Sequence, residues 1–228
     1  MALFFDIETY KDISDEGYIA WKTAGISAPS NYKDPIKIAE NIAQQKSEMM
    51  DKFALSPLTG KVILIGCLTD VKLSDWMGEP THQFNNKKYW VVQLIGEEKE
   101  MLAKFWDMLR LQALQAGDHL VSYNGKQFDL PFLLHRSAIL NIKPSQRIII
   151  PKLLSKYQHE PHLDLFNWFG SGSLVEWSYK LGISNSLERD GGKIGGWYEA
   201  GQMDIIKQKN SIDLFQTAEI YERVKSWL

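Results

Sequence analysis

The sequence has little cysteine, no surplus of positive charge and no long hydrophobic run. Its single cysteine, Cys67, excludes an intramolecular disulfide and a cysteine-rich zinc site. The formal net charge of -2 argues against a protein that holds phosphate backbones by charge alone. It still permits a metal-dependent nuclease, because bound cations supply a local positive field. No stretch approaches the roughly 20 apolar residues of a membrane span, and none has signal-peptide form, so we expect a cytoplasmic protein without a membrane partner.

The composition is typical of a globular protein. Hydrophobic residues make up 44% of the chain and charged residues 24%, which carries neither a disordered nor a membrane signature. The 228 residues are enough for one sizeable core. We therefore predict a single domain over residues 1–228, with residues 11–60 as an insertion between the first two strands.

The stretch LFFDIET, residues 3–9, places two carboxylates inside a segment with the pattern of a buried strand. Side chains alternate along a strand, so Asp6 and Glu8 share one face. Two like charges in an apolar setting repel and lose hydration unless a cation compensates them. A divalent metal is the simplest compensation. The alternative is a strand at the edge of the sheet, with both acids in water.

The remaining pattern alternates strands and helices, as in an α/β protein. Residue Asp34 is the expected N-cap of a helix whose first position is Pro35. The helix that begins at Glu97 is expected to be closed by Ala116–Gly117–Asp118. Strands are predicted at 61–70, 89–95 and 119–123, and helices at 36–52, 97–114, 130–140, 174–181 and 211–228.

Two further acids lie where such folds often place a site. Asp129 falls between a strand and a helix, at the carboxyl end of the strand. Asp213 begins a stripe at helical spacing that continues through Thr217, Ile220, Val224 and Trp227. The alternatives are a helix cap for Asp129 and a solvated position at a helix N-terminus for Asp213.

Other polar residues give weaker signals. Asn124 by itself is typical of a turn, and His159 and His162 lack a matching set of metal ligands. A hard divalent cation with oxygen ligands therefore suits the four acids better than zinc does.

Three segments resemble a known family. The segments FFDIET and NGKQFD, followed by the helical Asp213, resemble the three exonuclease motifs of the DEDD superfamily of 3'-to-5' exonucleases. The similarity is greatest to predicted exonucleases related to the proofreading domain of family-B DNA polymerases. It extends through the segments DPIKIAENIAQQK, SPLTGKVILIG, HLDLFNWFG and GGWYEAG.

The resemblance implies a fold and a set of functional residues. The fold is ribonuclease H-like, with a mixed β-sheet flanked by helices and a helical insertion after the first strand. Two Mg²⁺ or Mn²⁺ ions would be held by four carboxylates and bridged by the first of them: Asp6, Glu8, Asp129 and Asp213. Asn124, Lys126 and Phe128 would lie beside the terminal nucleotides, with Phe128 packing the turn rather than stacking on a base.

The third motif departs from the family at one position. A Tyr four residues before the final Asp, or a His five before it, orients or deprotonates the attacking water in the family. Here those positions hold Lys209 and Gln208. A Lys is protonated at neutral pH and needs a strongly lowered pKa to act as a base. Lys209 is therefore a candidate catalytic residue that binds the phosphate or holds the water electrostatically, and a slow enzyme is the alternative.

The expected function is metal-dependent 3'-to-5' hydrolysis of DNA at single-stranded or frayed 3' ends. One alternative is a nucleic-acid-binding module of the same fold that has lost turnover, which Lys209 would explain. Another is a ribonuclease, because no feature of the sequence reports on a 2'-hydroxyl.

Overall fold

The computed structural model describes residues 2–72, 82–84, 87–112, 119–144, 150–188 and 190–227. Their contacts divide the chain into two compact units. One unit comprises Met1–Glu8 and Val62–Leu228, and the other comprises Thr9–Lys61. The organisation as a single domain stays a prediction.

The larger unit is built on a six-stranded sheet of order β3-β4-β2-β1-β5-β6. Strand β1 pairs in parallel with β5, and β5 in parallel with β6, while β4 runs antiparallel to both β2 and β3. The sheet is therefore mixed, as expected. The strands are β1 (Ala2–Lys11), β2 (Gly60–Thr69), β3 (His82–Phe84), β4 (Lys87–Leu94), β5 (His119–Ser122) and β6 (His162–Asp164).

Nine α-helices are assigned within the described residues. They are α1 (Glu16–Thr23), α2 (Pro35–Asp51), α3 (Glu98–Gln112), α4 (Asp129–Ile139), α5 (Ile150–Leu154), α6 (Leu165–Phe169), α7 (Leu174–Lys180), α8 (Ile194–Glu199) and α9 (Met203–Val224). The predicted strands at 61–70, 89–95 and 119–123 are confirmed by β2, β4 and β5 to within two residues, and the predicted helices by α2, α3, α4 and α7. The expected end of α3 at Ala116–Gly117–Asp118 lies outside the described residues.

Strand β1 lies between β2 and β5, in the interior of the sheet. The alternative of an edge strand with two solvated acids is therefore wrong. The β1 side chains divide between two cores. Leu3, Phe5 and Ile7 pack with the apolar faces of α3 and α4, and Ala2 and Phe4 pack with the apolar face of α9.

Helix α9 begins at Met203, earlier than the predicted Ser211. The first turns read MDIIKQKN, where polar residues obscure the apolar period. Ile206 and Asn210 are nevertheless fully buried. The alternative that placed Asp213 at a helix N-terminus is wrong, because Asp213 lies in the interior of α9.

The smaller unit, described by itself, holds α1, α2 and a short 3-10 helix at Phe53–Leu55. The Asp34 side chain accepts a hydrogen bond from the backbone N–H of Ile36, and Pro35 occupies the first turn of α2, which confirms the predicted cap. A backbone hydrogen bond from the Asp12 N–H to the Thr59 carbonyl joins the two ends of this unit.

Among the described residues, no helix has both the length and the apolar character that crossing a membrane requires. The cytoplasmic location stays a prediction.

Candidate active site

The alternation along β1 brings Asp6 and Glu8 to the face that α9 covers. Ala2 and Phe4 belong to the core under α9, and the same period of two continues through Asp6 and Glu8. The Glu8 side chain is 6% exposed. The strand therefore presents both carboxylates to a helix and not to bulk water.

Helix α9 places three polar side chains against these carboxylates. Lys209 and Asp213 are four residues apart and therefore lie on one face, and the Lys209 Nζ donates to Asp213 Oδ2 at 2.7 Å. The same Nζ donates to Glu8 Oε1 at 2.8 Å. Asn210 donates through Nδ2 to Asp6 Oδ2 at 2.8 Å. Strand β1 and helix α9 thus meet through charged and polar groups at this point.

Asp6, Glu8 and Asp213 form what we call the acidic cluster. Each offers a carboxylate oxygen, and these three oxygens lie within 4.8 Å of one another. Carboxylate oxygens at such separations are typical ligands of Mg²⁺ and Mn²⁺. The oxygen ligands of the cluster fit a hard divalent cation. The Lys209 ammonium, which pairs with Glu8 and Asp213, supplies one compensating positive charge.

Asp129 reaches the same end of β1 from another direction. It is the first residue of α4, after Phe128 at the N-cap position. Its Oδ1 accepts a hydrogen bond from the Ile7 backbone N–H at 3.0 Å, between the two acids of β1. The reading of Asp129 as a simple helix cap is therefore incomplete, because the carboxylate fastens α4 to β1. Of the four predicted acids, it alone stands outside the set of three oxygens described above.

Burial and like charge raise the pKa values of these carboxyls. Burial raises the pKa of Asp6 well above its ordinary range, and the charges of Asp129, Glu8 and Asp213 add to the effect. Burial raises the pKa of Glu8 to about 7, although the Lys209 ammonium opposes the shift. Burial also raises the pKa of Asp129 to about 7 against the opposing hydrogen bond from Ile7. The surrounding side chains therefore do not fully stabilise these carboxyls in their ionised form.

The pKa of Lys209 moves in the direction that keeps it charged. Burial lowers the pKa of this ammonium, but the carboxylates of Glu8, Asp6 and Asp213 outweigh burial, and the net pKa lies above the ordinary value for lysine. A general base needs a lowered pKa instead. Lys209 is thus suited to act as a fixed positive charge.

Asn210 was missed at the sequence level, although it bonds Asp6 directly. It is fully buried, and its space exists because residue 66 on β2 is glycine: a Cβ there would lie 1.8 Å from Asn210 Oδ1. Gln93, paired with Gly66 across β2 and β4, donates to the Lys207 carbonyl at 2.7 Å. The sequence offered no clear signal, because the helix predicted at 211–228 began after Asn210, and Asn is an ordinary residue just before a helix.

Asp164 was also missed, and it holds the turn that leads to Asp129. Its Oδ1 accepts from the backbone N–H groups of Asn124 at 2.8 Å and Phe166 at 3.0 Å. Its Oδ2 accepts from the Lys126 N–H at 2.9 Å. Asn124 adopts φ +65°, a left-handed conformation that this contact helps to fix. An acid within the buried segment HLDLF was the signal.

The structure places the three predicted substrate residues in different settings. Lys126 is buried, and its Nζ donates to the carbonyls of Ser155 at 2.8 Å and Gln158 at 2.5 Å. Phe128 is half-buried and packs on Phe132 with ring centroids 5.6 Å apart. Asn124 is half-buried at the turn. Their roles toward substrate stay predictions.

The contacts of His162 indicate a structural role. Its Nε2 lies 2.8 Å from Ser122 Oγ and its Nδ1 2.9 Å from the Leu153 carbonyl oxygen. Burial lowers its pKa to about 3, so the ring is neutral. Both ring nitrogens are thereby committed to β5 and α5, away from the acidic cluster.

A cavity of about 510 Å³ adjoins the acidic cluster along α9. Lys209 and Asp213 form part of its wall, and Trp197 and Lys193 form another part. This volume is in the range of small-molecule pockets. The charged groups of α9 therefore border a space that a ligand can enter.

Comparison with known proteins adds a family and a fold. Residues 80–227 match the family described as predicted 3'-5' exonuclease related to the exonuclease domain of PolB. The chain is 25% identical over 159 residues to a DNA polymerase of Bombyx mori nuclear polyhedrosis virus, a match that covers 59% of this chain and 16% of the polymerase.

The structure is similar to that of a family B DNA polymerase from the hyperthermophilic archaeon Pyrobaculum calidifontis. The TM-score is 0.56 at 14% sequence identity, over 98% of this chain and 24% of the polymerase. The fold is thus ribonuclease H-like, as predicted, and the chain spans about a quarter or less of each of these two polymerases.

Proposed function

The chain belongs to the family of predicted 3'-5' exonucleases related to the exonuclease domain of PolB, and on that premise we propose that it hydrolyses DNA phosphodiester bonds from the 3' end. Its substrates would be single strands and frayed 3' ends. The observation that supports this proposal is the acidic cluster, with three carboxylate oxygens within 4.8 Å of one another and Asp129 bonded to the strand between Asp6 and Glu8.

The four carboxylates would hold two Mg²⁺ or Mn²⁺ ions. Their oxygen-only ligand set and unbalanced negative charge suit such ions. Two divalent ions, when bound, would supply an activated water and charge stabilisation for the leaving oxygen of a phosphodiester. Asp6, Glu8, Asp129 and Asp213 would hold them, with Asp6 contributing to both, as the resemblance of the motifs implies.

The protein's own groups would orient this site and its substrate. Asn210 fixes the Asp6 carboxylate through the hydrogen bond to Oδ2. Lys209 keeps its proton, so it would hold the water or the phosphate electrostatically and leave proton removal to another acceptor. Asn124, Lys126 and Phe128 would lie along the approach of the terminal nucleotides. Lys126 would act indirectly, because its Nζ holds the segment of Ser155 and Gln158 by hydrogen bonds to their carbonyls.

A time course with a 5'-labelled single-stranded DNA oligonucleotide tests the proposal. The purified protein is incubated with Mg²⁺, with Mn²⁺ and with chelator, and a matching RNA oligonucleotide is run beside it. We expect a ladder that shortens from the 3' end only when metal is present. Faster cleavage of RNA would assign a ribonuclease. Internal cleavage, or shortening in chelator, would contradict the proposal.

A second candidate is a nucleic-acid-binding module of the same fold without turnover. The observation that favours it is Lys209, which occupies the position of the family's Tyr and binds two of the cluster's carboxylates. Such a module binds metal and single-stranded DNA without degrading it. Lys209→Tyr would then recover metal-dependent shortening of the oligonucleotide.

A further inference from the structure

The Lys209 ammonium contacts two of the three carboxylates of the acidic cluster. Its ammonium lies 2.8 Å from Glu8 Oε1 and 2.7 Å from Asp213 Oδ2. The Lys209 side chain is 19% exposed and the Glu8 side chain 6%, so water screens these contacts poorly. Two of the three carboxylates that could bind a metal cation are thus already paired with the Lys209 ammonium, a cation of the chain itself.

We propose that the Lys209 ammonium competes with divalent cations for Glu8 and Asp213, so that an ion binds this cluster by displacing Lys209. This inference rests on the proposed function, because it concerns the metal ions of the same site. Lys209 already donates to one oxygen of each of these carboxylates, Glu8 Oε1 and Asp213 Oδ2. The ammonium and the ion also repel each other at these distances.

The neighbouring cavity gives the displaced side chain a destination. Lys209 and Asp213 both line it, together with Gln208 and Gln216 of α9. A flexible lysine that turns from the cluster into this space exposes its ammonium to solvent or to a phosphate group. Metal binding would thus release a positive charge toward the approach of the substrate.

The direct test measures how accessible the Lys209 amine is. The full chain is treated with formaldehyde and a borohydride, with saturating Mg²⁺ or with chelator, and methylation at each lysine is followed by peptide mass spectrometry. Lys207 serves as the internal reference, because it lies on the same helix and pairs with the exposed Asp204. We expect Mg²⁺ to raise the Lys209 labelling rate several-fold and to leave that of Lys207 unchanged.

A second measurement uses Mn²⁺ binding, followed by calorimetry or electron paramagnetic resonance. The variant Lys209→Met removes the competing charge, and Lys207→Met is the matched control. Lys209 lowers the fraction of molecules whose cluster is free to bind an ion, and the apparent affinity falls in proportion to that fraction. We therefore expect Lys209→Met to bind Mn²⁺ at least about 10-fold more tightly than the wild type does. The control should bind as the wild type does.

Either of two outcomes would overturn the inference. They are a Lys209 labelling rate that Mg²⁺ leaves unchanged while Mg²⁺ binds, or equal Mn²⁺ affinity in wild type and Lys209→Met. The labelling experiment uses the wild-type chain, so it decides the matter even if the variant fails to fold. Failure of the proposed function is distinguishable, since it appears as no metal binding together with an oligonucleotide that is not degraded.

Discussion

Asp164 and Glu8 are both buried carboxylates, but different groups face them. Asp164 accepts hydrogen bonds from three backbone N–H groups, those of Asn124, Lys126 and Phe166. Glu8 faces the Lys209 ammonium and shares its space with Asp6 and Asp213. Backbone donors disperse the charge of Asp164 within the fold. One ammonium carries less charge than three ionised carboxylates, and this imbalance supports the proposal that cations from solution bind the cluster.

The largest expected effect is the loss of activity in Asp6→Asn. The substitution removes the proposed shared metal ligand, and we expect the rate of nucleotide release to fall on the order of 10³-fold, as when other transition-state contacts are lost. It also removes one of several like charges that repel. The melting temperature in chelator should therefore stay the same or rise. Wild-type activity in this variant would contradict the comparison, as would a clearly lowered melting temperature.

Asp164→Ala should show the opposite behaviour. Three buried or partly buried N–H groups lose their acceptor, and we expect the free energy of unfolding to fall by about 3 kcal/mol. Asp164→Asn keeps the Oδ1 acceptor and should cost about 1–2 kcal/mol, for the lost bond to Lys126. Urea unfolding measures both. The comparison fails if Asp164→Ala is as stable as the wild type.

Gly66→Ala tests how closely α9 approaches the sheet beside Asp6. The new Cβ would lie 1.8 Å from Asn210 Oδ1 and 2.7 Å from its Cγ. Asn210 is buried and must shift, so we expect a loss of about 1–3 kcal/mol in stability together with weaker Mn²⁺ binding. Gly196→Ala in α8 is the matched control, because its Cβ meets nothing within 4 Å. Equal behaviour of the two variants would refute the role of Asn210.

The smallest expected effect is on pH dependence. The pKa values of Glu8 and Asp129 are raised to about 7 in the fold, from 4.5 and 3.8. A carboxyl with a raised pKa in the fold destabilises it as the pH rises toward that value. Bound metal needs both groups ionised and offsets their repulsion. The rise in melting temperature caused by Mn²⁺ should thus be larger at pH 8 than at pH 5.5.

The control for this experiment is already within the chain. His162 has a lowered pKa and destabilises the fold as the pH falls below about 6.5, the ordinary value for histidine. It contributes equally with and without metal, so the difference between the two melting curves removes it. A Mn²⁺ effect that is equal at both pH values would count against ionised Glu8 and Asp129 as ligands.

Much of the fold was predictable because local pattern and tertiary environment agree. The apolar run of β2 and the amphipathic period of α3 each depend on residues close in sequence. The early start of α9 was not predictable in this way, since Ile206 and Asn210 are buried only in the folded chain. Asn210 lies against Asp6 and Gly66, which belong to strands distant in the chain. Packing there overrides a polar local sequence.

The candidate site was partly predictable for the same reason. Strand alternation was enough to place Asp6 and Glu8 on one face. The alignment of Lys209 with Asp213 was not predicted, because the helix predicted at 211–228 began after Lys209, whereas α9 begins at Met203. The ion pair between Lys209 and Glu8 joins residues 201 positions apart, which no local pattern reports. The acceptor role of Asp164 was likewise hidden, because two of its partners, the backbone N–H groups of Asn124 and Lys126, lie 40 and 38 residues away.

Helix α9 also determines when the site comes into being during synthesis. The Asn210–Asp6 contact joins positions 204 residues apart, so a nascent chain emerges with Asp6 and Glu8 long before their partners. Contacts of such separation form late, after the loop between them closes. A chain that is still being translated therefore has two acids on a strand but no assembled site. We therefore expect the proposed nuclease to have no activity on nucleic acid until α9 has packed against β1.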